Sequence, residues 1–254
     1  MDYFHSNGLR LAYTDIPTGN TTNPPIILIH GFASNHFTNW VAPSWTRTLN
    51  EHGFRVIAFD VRGHGLSDKP HDSAAYHSSY FCDDIQNLLN HMEIPNADVM
   101  GYSMGARIAA LFASKHPERT RSLLLGGIGI NLLQTSLLSE DIAQALEVSD
   151  SSVLTDSTQR MFRTFAERTK SDLTALASCI RGFKQTITTE ELRSLPMPAL
   201  ISAGSRDHIA ASAQELTHII KHAKFLNIPD RDHNTSVGDK HHKQGVIDFL
   251  STRQ

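Results

Sequence analysis

The chain has 254 residues, with 23 Lys or Arg against 26 Asp or Glu, a formal charge of −3 at neutral pH. That balance disfavours a nucleic-acid or other polyphosphate partner. A hydrophobic fraction of 40% with 19% charged residues excludes a disordered chain, and the length suits one large α/β domain or two smaller ones.

Residues 2–6 and 9–16 flank Asn7-Gly8, a pair that supplies the positive φ angles of a tight hairpin turn. Residues 24–30 (PPIILIH) contain four aliphatic side chains in succession, the pattern of a strand buried on both faces. Similar runs are predicted as strands at 55–60 (RVIAFD), 97–101 (ADVMG), 122–125 (SLLL), 199–203 (ALISA) and 224–228 (KFLNI). Between them, 76–92 places Phe81, Ile85, Leu88, Leu89 and Met92 at helical spacing. Residues 104–115 do the same with Ile108, Leu111 and Phe112, and Pro117 follows as a stop signal. Alternation of this kind predicts a mostly parallel, eight-stranded sheet flanked by helices.

About 70 residues separate the strand ending near Leu125 from the next at Ala199, too many for a plain crossover. The interval reads as helices over 139–148, 156–169, 172–183 and 188–195, the last opening with the capping-box pattern Thr188-x-x-Glu191. We therefore expect a core of residues 1–127 and 196–254, with a helical cap inserted over 128–195.

Cys82 and Cys179 lie far apart and read as buried thiols of a reducing compartment. The start shows no secretory signal, and no apolar run is long enough to cross a membrane. Cytoplasmic residence is the expectation. The 15 histidines form no metal-binding array, so no metal is expected. His241 and His242 fall in a polar stretch and are expected in solvent.

The sharpest local signal is Gly101-Tyr102-Ser103-Met104-Gly105, placed where a predicted strand meets a predicted helix. A tight turn there forces the serine into strained backbone, and side chains at the glycine positions would collide with neighbouring elements. Ser103 would project above the carboxyl ends of the strands, near the free N–H groups of the following helix. As a lone motif it is equally a helix cap between packing glycines. A serine hydroxyl needs a base and an orienting acid to become nucleophilic. Asp207 follows the strand at 199–203 and His233 follows the strand at 224–228, so all three lie past strand ends that share one edge. The N–H groups of Met104 and of Phe32, in the turn His30-Gly31-Phe32, are candidate donors for an oxyanion.

With these residues in view, the chain resembles the α/β-hydrolase fold family, in particular its capped, esterase-like members. The matching elements are HGF (30–32), FDVRGHGLSDKP (59–70), GYSMG (101–105), KHPERTRSLLL (115–125), AGSRD (203–207) and DHN (232–234). The resemblance implies Ser103 as nucleophile, His233 as general base and then acid, and Asp207 as the orienting carboxylate. Phe32 and Met104 would form the oxyanion hole, and Phe32, Tyr102 and Phe162 would touch the substrate. It implies a cofactor-independent serine esterase acting on a small carboxylic ester, as a monomer or homodimer. A serine at the elbow argues against the dehalogenases and epoxide hydrolases of this fold, which attack with a carboxylate. A C–C bond hydrolase and a non-catalytic, hydrolase-like receptor remain alternatives. Asp232 stands where relatives often carry glycine, and Ala106 where many have another glycine. Arg62, His64 and Asp68 are expected to brace a loop.

Within the cap, Met161, Phe162 and Phe165, and later Ile180 and Phe183, are expected mostly to pack inward, with a few walling the cleft. Arg160, Arg163 and Arg168 read as a solvated helix face, with one available for a substrate carboxylate.

Overall fold

The computed structural model describes residues 1–19, 23–136, 138–184 and 187–253; residues 137, 185 and 186 of the expected cap lie outside the described residues. Its strands are β1 (Asp2–Ser6), β2 (Leu9–Ile16), β3 (Ile26–Ile29), β4 (Val56–Phe59), β5 (Ala97–Tyr102), β6 (Thr120–Gly126), β7 (Ala199–Gly204) and β8 (Ala223–Ile228). They form one sheet in the order β1-β2-β4-β3-β5-β6-β7-β8. The β1–β2 and β2–β4 pairs are antiparallel, and every later pair is parallel. Asn7 and Gly8, at φ 48° and 79°, make the first turn.

Side chains alternate across the central strands with the period of two that a pleated strand imposes. Ile27, Ile29, Ile57, Phe59 and Val99 share one core with the apolar residues of α2 (Ser78–His91) and α3 (Met104–Lys115). Ile26, Leu28, Val56, Ala58 and Met100 face the other way, against Trp40, Trp45 and Leu49. Two helices absent from the sequence reading supply that second layer: α1 (Trp45–Glu51) and α8 (Lys240–Thr252). In α8 the apolar contacts come from Val246, Ile247, Phe249 and Leu250, while its first turn is polar.

That polar turn requires a correction. His241 is exposed as expected, but His242 is fully buried. Its Nε2 lies 2.8 Å from the Ser202 hydroxyl, and its Nδ1 donates to the Ser236 carbonyl at 3.0 Å. The Trp45 ring meets it edge-on. A polar residue is buried here because both ring nitrogens find partners.

Between β6 and β7 lie α4 (Glu140–Glu147), α5 (Ser157–Arg168), α6 (Leu173–Gly182) and α7 (Thr189–Arg193). The capping box of Thr188 and Glu191 forms as the pattern requires. Asp156 and Asp172 cap α5 and α6 with their carboxylates. Arg163 is not on a solvated face: its guanidinium is buried and donates to the carbonyls of Ala145, Leu146 and Val148 at 3.0, 3.2 and 2.8 Å. It thereby satisfies carbonyls that the end of α4 leaves without intrahelical donors. Phe183 packs against Phe81 in the core. Cys82 and Cys179 are buried, unbonded thiols.

Candidate active site

Ser103 occupies the turn between β5 and α3 at φ 56° and ψ −113°, a conformation normally left to glycine. The turn is held by the Ser103 N–H donating to Gly126 O at 2.8 Å, and by Ser103 O accepting from Ala106 and Arg107. A Cβ on Gly101 would overlap the Gly105 carbonyl, and one on Gly105 would overlap the Ile29 carbonyl. Both glycines are therefore sterically required. Ser103 Oγ has no hydrogen-bond partner among the described residues.

Asp207 follows β7 and is buried. Its Oδ1 accepts from the backbone N–H groups of Ile209 and Ala210 at 3.0 and 2.9 Å. Its Oδ2 lies 2.8 Å from His233 Nδ1, which orients the ring with Nε2 left free for another partner. Asp232 does not compete. It caps its own turn, accepting from the N–H groups of Asn234 and Thr235, and those bonds draw its carboxyl below the usual range. The Tyr102 hydroxyl donates to His233 O at 2.6 Å. Tyr102 thus anchors the histidine loop while its ring still lines the cavity.

Ser103 and His233 share one cavity of about 480 Å³ with Gly31, Phe32 and Tyr102. Met161, Phe162 and Phe165 of α5 line it as well, together with Ile209 and Val237. The rings of Phe32 and Phe162 meet edge-to-face at 6.1 Å. Met104 opens α3 beside Ser103, and neither its N–H nor that of Phe32 has an acceptor among the described residues. Arg168 reaches the same cavity. It makes no hydrogen bond or ion pair among the described residues, so one of the three cap arginines does face the cleft. Sequence reasoning passed over Ser34, Asn39, Ile209 and Val237, which lie in irregular segments or a single π-helical turn at Phe37–Val41 and carry no motif. A second, larger cavity of about 700 Å³ shares Ile209 but contains neither Ser103 nor His233.

Arg62, His64 and Asp68 lie outside the Ser103 cavity. Arg62 donates to both oxygens of buried Asp84 at 2.7 and 2.6 Å, and Asp68 accepts from the Arg10 N–H. His64 is buried, donating Nδ1 to Arg62 O, and desolvation pushes its pKa down to about 3. Among the described residues no cluster of His, Cys, Asp or Glu is arranged to hold a metal ion. None of their helices is long and apolar enough to cross a membrane.

The family model of the alpha/beta hydrolase fold matches residues 24–133. The chain is similar to epoxide hydrolase 3 of Xenopus tropicalis, at 30% identity over 47% of this chain and 31% of that protein. It is also similar to 2-hydroxymuconate semialdehyde hydrolase of Pseudomonas sp. strain CF600, at 37% identity over 42% of this chain and 38% of the relative. The chain thus spans between 31% and 38% of the length of those two curated relatives. Among solved structures, the enol-lactonase of Burkholderia xenovorans LB400 superposes with a TM-score of 0.79 at 21% identity, covering 98% of this chain and 100% of that one. At that identity the likeness concerns the fold.

Proposed function

This chain has the α/β-hydrolase fold, and from that premise we propose that it is a serine hydrolase that cleaves small carboxylic esters. One observation carries the reading: the 2.8 Å bond between His233 and an Asp207 otherwise held by backbone N–H groups, beside a strained Ser103 in the same cavity. In the proposed reaction His233 Nε2 takes the Ser103 proton as Oγ attacks the ester carbonyl. The oxyanion is held by the N–H groups of Phe32 and Met104. His233 protonates the departing alkoxide, leaving an acyl-enzyme, then deprotonates a water that attacks the same carbonyl. Ser103 recovers its proton and the acid departs. Asp207 holds the imidazole in the required tautomer and offsets its positive charge.

The walls favour a short apolar acyl chain, and an uncommitted Arg168 favours one ending in a carboxylate. Cytoplasmic residence and action without a cofactor are part of the same proposal. A second reading, a C–C bond hydrolase, is favoured by the likeness to a 2-hydroxymuconate semialdehyde hydrolase. Reaction with a fluorophosphonate, read by intact mass, tests the shared chemistry: one adduct on Ser103, absent in Ser103→Ala, is expected. No adduct at neutral pH would leave a ligand receptor. A panel of p-nitrophenyl esters set against a vinylogous diketone then separates ester from C–C cleavage.

A further inference from the structure

The inference rests on the serine-hydrolase reading and concerns the peptide joining Gly31 to Phe32. A planar trans peptide points its carbonyl and its N–H in opposite directions. Whatever holds Gly31 O therefore aims Phe32 N–H. Two donors reach that oxygen: His30 Nδ1 at 2.8 Å and the Ser34 N–H at 3.2 Å. The His30 tautomer is itself fixed. The Val61 N–H lies 3.0 Å from Nε2, which must offer a lone pair and so leaves the proton on Nδ1. His30 is fully buried, and desolvation lowers its pKa, which keeps the ring neutral.

The other side of Gly31 is held as firmly. Its N–H donates to Asn39 Oδ1 at 3.0 Å. Gly31 also abuts the elbow, since a Cβ there would lie 3.5 Å from Ser103 Cβ and 3.4 Å from Tyr102 O. Asn39 is a costly residue to keep. Its Nδ2 is buried without a partner among the described residues, which lowers stability. Packing alone does not account for an amide in this place; the bond to Gly31 does.

We propose that His30 and Asn39 are positioning residues that grip the 31–32 peptide from both sides and hold the Phe32 N–H toward Ser103, so that the oxyanion hole is formed before substrate arrives. His30 lies outside the Ser103 cavity, and Asn39, at its edge, acts through the peptide it holds. Their effect passes entirely through the direction of one peptide plane.

Two substitutions at one position separate aim from packing. His30→Asn returns a donor near the former Nδ1, whereas His30→Gln returns only an acceptor near the former Nε2. Loss of one oxyanion donor costs on the order of 100-fold in rate. His30→Gln is expected to slow fluorophosphonate labelling of Ser103 and kcat on a p-nitrophenyl ester by about that factor, with KM within about threefold. His30→Asn should recover at least tenfold of the loss. Asn39→Ala should lower kcat and the affinity for a trifluoromethyl ketone together, again with KM little changed. Equal activity of the two His30 variants, or an Asn39→Ala loss confined to KM, overturns the proposal. Should the His30 variants not fold, Asn39→Ala decides alone. A wild-type protein that never labels removes the hydrolase reading and this inference with it; normal wild-type labelling with unaffected variants removes only the inference.

Discussion

The Thr169 hydroxyl donates to the Ala33 carbonyl at 2.8 Å, tying the C-terminal end of α5 to the loop that carries Phe32. The α5 side of the cavity is therefore tied directly to the Phe32 loop. Thr169→Val keeps the shape and removes the donor, leaving Ala33 O only the longer contact to Ser171 at 3.4 Å. A loss of about 1 kcal/mol is expected in urea unfolding, with KM for esters raised a few-fold as the α5 wall loosens. An unchanged unfolding midpoint would show the tie to be dispensable.

The backbone at Ser103 makes a stability prediction independent of chemistry. Glycine accepts φ 56° and ψ −113° without the penalty that any Cβ incurs. Ser103→Gly and Ser103→Ala should both lose ester hydrolysis by several orders of magnitude. The glycine variant alone should gain stability, by about 1–3 kcal/mol over the alanine variant. Thermal melts of the two, side by side, check this; equal melting temperatures would mean that the elbow stores no strain.

Acid sensitivity follows from buried rings that resist protonation, His30 among them. Burial pushes His242 down to about 4 and His64 down to about 3, against about 6.5 in an unfolded chain. Below that value the unfolded state binds protons that the folded state refuses. Their stabilisation is thus complete above pH ~6.5 and is lost progressively as pH falls toward the folded values. Asp98 acts in the opposite sense, because burial raises it to about 6 despite the Arg253 guanidinium beside it. The histidines outweigh the one carboxyl. Unfolding free energy should fall by on the order of 2 kcal/mol between pH 7 and pH 5. His242→Gln should flatten that slope; an identical slope would remove His242 as a source.

Arg168 sets a specificity test. If it receives a substrate carboxylate, Arg168→Gln should raise KM about tenfold or more for a p-nitrophenyl ester with a terminal carboxylate. The neutral ester of equal length should be unaffected. A parallel change for both esters would assign the arginine to packing of α5, and no change for either would leave it as a solvated side chain.

The elbow, the strand order of Ser103, Asp207 and His233, and the buried central strands were legible from local pattern. Each depends on interactions within a few residues: two glycines that a turn demands, or aliphatics in a row that only a doubly covered strand tolerates. His242 and Arg163 were misread because their burial depends on distant partners. The histidine is received by Ser202, Ser236 and Trp45, and the arginine by carbonyls at the end of another helix. Polarity in a sequence window says nothing of partners that arrive from elsewhere.

The amino-acid sequence by itself determined the doubly covered parallel sheet and the turns from which the candidate nucleophile, acid and base emerge. Hydrophobic periodicity and backbone sterics act locally and need no knowledge of the rest of the chain. Only the tertiary structure decided which cap arginine faces the cleft, how α5 is tied to the Phe32 loop, and that His30 and Asn39 converge on one peptide. Those are contacts between segments remote in sequence, fixed by how the layers pack and by which buried polar groups can satisfy one another.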